Sequence, residues 1–458
     1  MGKSSPNGGL SSHSKVVDFS VGVNGPWRLI IPHTVYPPRE DTGLLAEALY
    51  SLDIDPSLAV EIGCGSGALS IILAELGWEV LSFDINPYAV ASSRSNVEEH
   101  GLSERVTVFE GGVGEDGWSI PRGAKLLIWN LPYLEPAYDP PILEPIEEAS
   151  MVDIPNGGWS AELMKQVEEH EMSGFIVVLL IRTDPDSPSK REDWMANGWS
   201  CREILSLRMG DEKIGAFAFW KPGFGVGAVT IDECESTMDE ASNLPESGWQ
   251  RIRTNRQLGG RGRRGSTWES RVGDMVATWR IPVNVQLGIN HGLIQTAAGS
   301  VISNVMGCRV KWPNDLVSEN GKKLGGIISE TSSNEQGMRV GVGINSAPRE
   351  VDGNNASGWS ETLGEASEDT VFGIVDAALS GILESIPGLP NLNGEELLEL
   401  SWRGISASIS EGASPSTVSG MKRVVGLDIN GGLIIEAGGE VSIVTDVDEI
   451  VWSYPNDS

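Results

Sequence analysis

The sequence predicts an α/β domain, then a mixed α+β domain, then a short β-rich end. Three observations predict this. The apolar run Leu58–Ile62 opens directly into Gly63-Cys64-Gly65-Ser66-Gly67 and a helical pattern from Ala68, which is how a parallel-sheet unit begins. Beyond the Pro/Gly-rich break Lys221-Pro222-Gly223-Phe224-Gly225-Val226-Gly227, strand-like runs cluster with few helices between them. From about Ile405, short strand runs are punctuated by turn residues such as Asn430-Gly431-Gly432. The boundaries expected are 1–222, 228–404 and 405–458, since 458 residues are too many for one ordinary domain.

Composition narrows the function classes. At 40% hydrophobic and 21% charged residues, the chain reads as soluble and globular. A formal net charge of -31, with both halves acidic, argues against broad affinity for nucleic acid or anionic membrane. Cys64, Cys201, Cys234 and Cys308 are scattered without metal-ligand spacing, which points to reduced thiols and a cytoplasmic setting. The N-terminal residues lack the apolar core of a signal peptide, and the longest apolar run, Phe175–Ile181, is far shorter than the roughly 20 residues of a membrane span.

In the first half, Val35-Tyr36-Pro37-Pro38-Arg39-Glu40-Asp41-Thr42 precedes an apolar helix, Leu44–Leu52. Strand Leu58–Ile62, helix Ala68–Leu76 and strand Glu79–Phe83 follow, the last ending at Asp84. The glycines permit a tight turn and close approach to a ligand, and a carboxylate after the second strand can accept hydrogen bonds from ribose hydroxyls. A plain βα turn or a dinucleotide site would use the same parts. The order acid (Glu61), then G-x-G-x-G, favours an S-adenosylmethionine site. Strand Ala124–Trp129 then ends in Asn130-Leu131-Pro132-Tyr133. The Asn side chain and the Pro-rigidified backbone offer carbonyls to a planar amide or amino group, and Tyr133 offers a face to stack on.

These motifs resemble those of class I methyltransferases that modify planar nitrogens, above all the release-factor glutamine methyltransferases. The resemblance covers about residues 30–221 and implies a Rossmann-like fold, closed by strand Phe175–Ile181 and the pair Ile204–Met209 and Ile214–Trp220. It implies S-adenosylmethionine bound by Thr42, Glu61, Gly63, Gly65, Gly67, Asp84 and Asn130, and a methyl acceptor held by Asn130, Leu131, Pro132 and Tyr133. Asn130 and Tyr133 would be catalytic. A peptide chain release factor is the expected acceptor. The alternatives are an adenine of nucleic acid, or an inactive domain kept for interaction.

The second half begins with strand Thr230–Cys234, running into Ser236-Thr237-Met238. Strand Arg251–Arg256 leads to Gln257-Leu258-Gly259-Gly260-Arg261-Gly262-Arg263-Arg264-Gly265, with Trp268 just beyond. The loop spells G-x-G-x-x-G, yet a strand (Met275–Val283) follows it instead of a helix, which excludes a dinucleotide turn. Backbone N–H groups and guanidinium forks suit such a loop to closing on an anion. A basic RNA-binding loop is disfavoured by the acidic surroundings. After a helix near Ile289–Val305 come Lys311-Trp312-Pro313-Asn314-Asp315-Leu316 and Lys323-Leu324-Gly325-Gly326. Strand Met338–Val342 then ends in Gly343-Ile344-Asn345, and helices are expected at Val371–Ile386 and Glu395–Trp402.

In order and spacing these motifs resemble biotin protein ligase over about residues 228–458, a resemblance that implies an α+β catalytic domain closed by a small SH3-like domain. It implies that ATP and biotin are joined as biotinyl-5'-AMP and that biotin passes to a lysine of the biotin carboxyl carrier domain of a carboxylase. Lys323, Arg261 and Arg263 would be catalytic. Ligand contacts would come from Ser236, Thr237, Met238, Gln257, Gly260, Gly262, Arg264, Trp268, Lys311, Asn314, Asp315, Gly325, Gly326 and Asn345, with Asn314 and Asp315 also organising Mg2+. Met238 stands where the family often has Asn. With no helix-turn-helix ahead of this half, operator DNA is not an expected partner.

Overall fold

Strands buried on both faces organise the first half, as the run Leu58–Ile62, apolar but for Glu61, leads one to expect. The structure, a computed structural model, describes residues 14–455 apart from 135–151, 155, 171–172, 263–264, 283–287, 332–336, 352 and 419. The chain divides into two units. One holds Met1–Trp194, Cys201–Trp220 and Pro387–Pro390, and the other holds Met195–Ser200, Lys221–Ile386 and Asn391–Ser458.

The first unit's strands and helices run β1 (Ser14–Val21), β2 (Asn24–Pro32), α1 (Glu40–Ser51), β3 (Leu58–Ile62), α2 (Ala68–Glu75), β4 (Glu79–Asp84), α3 (Pro87–Glu99), β5 (Val106–Glu110), β6 (Ala124–Asn130), α4 (Gly158–Val167), β7 (Ile176–Asp184), α5 (Arg191–Ala196), β8 (Ser200–Met209) and β9 (Glu212–Trp220). The sheet order is β5-β4-β3-β6-β7-β9-β8. Strands β5 through β7 pair in parallel, and β9 runs antiparallel to β7. From β3 the chain passes to β4 on one side and later to β6 on the other. That reversal opens a crevice at the carboxyl ends of β3, β4 and β6, where Gly63, Asp84 and Asn130 stand.

The β1–β2 hairpin was not expected, since nothing ahead of Val35 had been read as structured. Its period-two pattern buries Phe19 and Val21 on one strand and Trp27, Leu29 and Ile31 on the other. The Ile30 amide donates to Asn96 Oδ1 at 2.9 Å, tying the hairpin to α3. That helix begins at Pro87 under an Asn86 cap, whose side chain accepts from the Tyr88 amide at 3.0 Å.

In the second unit the elements are β10 (Val229–Cys234), α6 (Thr237–Glu240), β11 (Gln250–Gln257), β12 (Gly260–Arg261), β13 (Thr267–Trp268), β14 (Met275–Ile281), α7 (His291–Met306), β15 (Arg309–Lys311), β16 (Asp315–Val317), β17 (Lys323–Thr331), β18 (Met338–Ile344), β19 (Arg349–Val351), β20 (Asn354–Ala356), α8 (Glu368–Leu383) and α9 (Gly394–Ser410). Seven strands form one sheet in the order β10-β11-β14-β18-β17-β16-β15, all antiparallel except β10 with β11. Helices α7, α8 and α9 pack their apolar stripes on it, through residues such as Ile294, Ala298, Val375 and Leu397. Strand β14 ends at Ile281; Val283, its expected end, lies outside the described residues.

Helix α9 corrects an expectation. It does not stop near Trp402 but runs on to Ser410, through the boundary placed at 404/405. Serines and Gly404 weaken its intrinsic propensity, and packing overrides that: a side chain at Gly404 would come within 2.4 Å of Ser300 on α7. Past α9, β21 (Ser414–Thr417), β22 (Gly420–Met421) and β26 (Val451–Ser453) form one three-stranded sheet. A second is built from β23 (Arg423–Leu427), β24 (Leu433–Ala437) and β25 (Glu440–Val444). Leu433, Ile435 and Trp452 from these sheets share a cluster with Val310, Trp312 and Ile405. Trp312 of the Lys-Trp-Pro-Asn-Asp stretch therefore serves packing, and its indole donates to the Gly431 carbonyl at 2.8 Å.

One polar node sits inside the second unit. Buried Asp376 on α8 accepts from the indoles of Trp249 (2.7 Å) and Trp279 (2.8 Å) and from Arg251 Nε (3.0 Å). Burial pushes its carboxyl up from the ordinary range, and the guanidinium and indoles pull it back. The Asp376→Ala variant leaves Arg251 as a buried, uncompensated charge, a defect that costs about 3–5 kcal/mol. Asp376→Asn is expected to lose less. Denaturant unfolding of the two variants checks this.

Candidate functional site

The crevice of the first unit encloses a cavity of about 350 Å³. Of the residues predicted from sequence, Thr42, Glu61, Gly63, Gly65, Asp84, Asn130, Leu131, Pro132 and Tyr133 all line it. Gly63 and Gly65 adopt φ of 68° and 52°, which side chains resist, and so the turn stays clear of the cavity. Gly67 is absent from the lining. It starts α2 at φ 83°, where a Cβ would meet Ser93 Oγ at 2.6 Å, so it serves helix packing. Sequence reading missed Tyr36, Asp41, Trp129 and Trp159 as walls. Asp41 had been quoted in its motif without a task.

Asp84 caps the turn: one oxygen accepts from the Gly65 amide at 2.9 Å and the other from Asn86 at 2.8 Å. Burial raises its pKa, and these two amides lower it. Asn130 is oriented by Asp41, which accepts from its Nδ2 at 3.1 Å and takes the Thr42 amide on its other oxygen at 2.6 Å. The Asn130 carbonyl oxygen is then buried with no hydrogen-bond partner, an acceptor waiting for an N–H. Tyr133 is buried too, and burial pushes its phenol well above the usual range.

Glu61 behaves differently from a surface acid. Its carboxyl is buried and receives hydrogen bonds from Ser70, and from Ser82 at 3.5 Å. Burial, with Asp84 nearby, raises its pKa to about 8. Between the unfolded value of 4.5 and about 8, the unfolded chain releases a proton that the folded one keeps. Stability should therefore fall across that window, by up to ~1.4 kcal/mol per pH unit, and level off above it. Glu61→Gln is expected to flatten the slope, measured as denaturant stability between pH 5 and 9.

The second unit holds a cavity of about 220 Å³ roofed by the β12–β13 hairpin. Ser236, Thr237, Met238, Gln257, Arg261, Gly262, Trp268, Asn314, Asp315, Lys323 and Gly326 open into it. Gly260 lines an adjoining cleft with Arg261 and Gly262. Arg263 and Arg264 lie outside the described residues. Three predicted contacts line neither: Lys311, Gly325 and Asn345. Asn345 is buried, donating to the backbone carbonyls of Lys323 (3.3 Å) and Ser357 (2.9 Å). Gly325 stands in the ladder, where a Cβ would lie 2.7 Å from the Gly343 carbonyl. Both hold the strands that present Lys323.

At one end of the cavity, Thr237 donates twice to Gln257 Oε1, from its amide (2.7 Å) and hydroxyl (3.0 Å), and accepts from Thr278 at 2.9 Å. Ser236 Oγ is buried without a partner, leaving a donor and acceptor for a ligand. The floor is β18, where Gly343 lets Trp268 lie flat: a Cβ there would sit 2.6 Å from the indole. Gly341 likewise leaves room for Met238. Neither glycine was among the ligand contacts expected from the sequence. Their signal was a motif with two glycines inside a buried strand.

At the other end, Asp315 Oδ1 pairs with Lys323 Nζ at 2.7 Å, and its Oδ2 lies 3.7 Å from Lys311 Nζ. Lys323 Nζ also stands 5.8 Å from the Trp268 ring centre. Arg261 pairs with Asp239 and with Glu330 at 3.1 Å. Asn314 Nδ2 donates to the Ile327 carbonyl at 2.8 Å. Both Asp315 oxygens thus face a lysine ammonium, at 2.7 and 3.7 Å. No group of three or more His, Cys, Asp or Glu suited to a metal occurs among the described residues.

The two folds and cavities define a methyltransferase-like α/β unit and an α+β unit that gathers cations around one pocket. Residues 231–345 match the family model of the Biotin/lipoate A/B protein ligase family, and residues 40–120 match that of Ribosomal protein L11 methyltransferase (PrmA). The chain thus carries a region that matches the biotin/lipoate ligase family model and a methyltransferase-like region. Ribosomal protein L11 methyltransferase of Vibrio campbellii is 42% identical over 69 residues, 15% of this chain and 23% of that protein; the Shigella sonnei enzyme is 38% identical, also over 69 residues. The chain spans about a quarter of the length of these curated relatives. Among solved structures, biotin protein ligase from Aquifex aeolicus, in complex with biotin and ATP, is 19% identical with TM-score 0.37, covering 50% of this chain and 99% of that one. The Leishmania major ligase with biotin is 22% identical, TM-score 0.32, covering 48% and 98%. An E. cuniculi complex responsible for methylation of the eRF1 translation termination factor is 17% identical, TM-score 0.29, covering 41% and 99%.

Proposed function

We propose that the second unit is an ATP-dependent biotin ligase. The observation that carries this is one cavity shared by Ser236, Thr237, Gln257, Arg261, Trp268 and Lys323, with hydrogen-bonding groups at one end and cations at the other. Ser236 and Gln257 hold the ureido ring, and the Trp268 indole and strand β18 enclose the apolar part. The carboxylate end then reaches Lys323. Attack of that carboxylate oxygen on the α-phosphorus of ATP forms biotinyl-5'-AMP and breaks the bond to pyrophosphate. Lys323 neutralises both acids as negative charge builds on the phosphoryl oxygens. The hairpin roof keeps water from the mixed anhydride. A lysine amine of a biotin carboxyl carrier domain then attacks the acyl carbon, and AMP leaves. The two small sheets after α9 act as the ligase's SH3-like closing domain.

The first unit, in this reading, transfers a methyl group from S-adenosylmethionine to a planar nitrogen, with a release-factor glutamine as acceptor. Support comes from Asn130, which lines the same cavity as Gly63, Gly65 and Asp84 and whose side-chain carbonyl has no hydrogen-bond partner. Accepting an amide N–H there raises electron density on the nitrogen as it attacks the methyl carbon; the C–S bond breaks, the sulfonium leaves as a thioether, and the nitrogen gives up one proton to solvent. The methyltransferase match over residues 40–120 reaches Asp84 but stops before Asn130, so it bears on cofactor binding and not on the acceptor.

Lys323→Ala should lower biotin-dependent exchange of pyrophosphate into ATP by at least about 100-fold, or roughly 2.7 kcal/mol of transition-state stabilisation. Equal exchange by both proteins rejects the catalytic role of Lys323, and no biotin-dependent exchange by the wild type rejects the ligase assignment. Asn130→Ala should keep S-adenosylmethionine binding within a few-fold in calorimetry yet abolish methyl transfer to a release factor. Wild-type protein that binds the cofactor and methylates nothing would make the first unit a binding module.

A further inference from the structure

Arg261 does not wait for an anion with an empty guanidinium. It joins the roof hairpin to two walls of the cavity, pairing with Asp239 on α6 and with Glu330 on β17 at 3.1 Å. The two carboxylates are not equivalent. Glu330 also lies 3.9 Å from Arg339, whose Nη1 donates to the Met238 carbonyl at 2.6 Å, so its charge stays partnered if Arg261 turns away. Asp239 is paired with Arg261 alone among the ion pairs of the described residues, and it is the more exposed of the two. Resting on the ligase reading, we infer that Asp239 is a displaceable counter-ion that sets anion selectivity. It occupies the Arg261 fork until a phosphate-bearing ligand takes its place, while Glu330 remains.

The chemistry of the exchange favours a polyanion. One exposed carboxylate–guanidinium pair is worth little, and a triphosphate offers several charged oxygens to a planar fork at once. A singly charged acid gains less by competing. Asp239 thus handicaps weakly charged ligands, and its removal relaxes the handicap. It follows Met238 on α6, whose Thr237 and Met238 line the cavity, so the selecting charge lies on the same short helix as two lining residues.

The test titrates the full-length protein with ATP, with saturating biotinamide standing in for biotin so that no adenylate forms. Asp239→Asn should bind ATP about three-fold tighter at low salt, with the gain fading at high salt. Asp239→Glu should restore the wild-type value, and Glu330→Gln should tighten binding less than Asp239→Asn. Thermal melting confirms that each variant folds. Wild type that binds ATP while Asp239→Asn binds it equally or more weakly overturns the inference and leaves the ligase reading standing. Wild type that binds no ATP overturns both.

Discussion

The contact between Asp315 and Lys323, at 2.7 Å, sets the terms for the ligase cavity. Lys323 is half exposed at the start of β17, and an unpaired ammonium there would sweep a wide arc on a flexible stem. Asp315 holds it over the cavity through the ladder that sets Asp315 opposite Gly326. Every structural glycine nearby answers to that geometry. Gly325 lets β17 lie against β18, Gly326 keeps the space beside the Lys323 stem clear, and Gly343 seats the indole that Lys323 faces. A side chain at Gly325 would press on the Gly343 carbonyl and one at Gly343 on the Trp268 indole, whereas at Gly326 it would meet the Lys323 stem only in ordinary contact.

The same pairing shows how an acidic chain can gather cations around one cavity. With a net charge of -31, cations left alone would bind whatever anions or carboxylates came near. Here each cation described at the ligand end carries an internal carboxylate: Asp315 for Lys311 and Lys323, and Asp239 and Glu330 for Arg261. On the ligase proposal, binding is an exchange of partners. Its net gain is the difference between a ligand's phosphates and the protein's own acids, which favours specificity over raw affinity.

Strand placement was largely legible because both sheets bury runs whose period and composition cannot be satisfied elsewhere. Leu58–Ile62 was read to the residue, and Glu79–Asp84 to within one. The β1–β2 hairpin carried an equally clear alternation in Trp27, Leu29 and Ile31, but Pro26 and the glycines around it read as loop. Helix α9 went unread past Trp402 because Ser406, Ser408 and Ser410 look like turn residues. Only tertiary packing against α7 reveals them as helix. In the sites, motif residues were legible and their supports were not. Asp41, Thr278 and Asp239 act through partners distant in sequence, and no spacing rule brings Asp41 to Asn130 across the crevice.

Unpartnered atoms divide labour between the two sites in different ways. In the ligase cavity, the orphan Ser236 hydroxyl can donate or accept, so it suits one edge of a group that presents both N–H and C=O. In the methyltransferase-like cavity, Asp41 can only accept while ionised, and it therefore claims the Asn130 NH₂ and turns the carbonyl inward. An Asn without that neighbour could rotate and offer N–H instead, making the cavity equally hospitable to a carboxylate. Asp41 thus converts an ambivalent amide into a committed acceptor. On the methyltransferase proposal, a preference for a nitrogen acceptor would lie in that carboxylate as much as in Asn130.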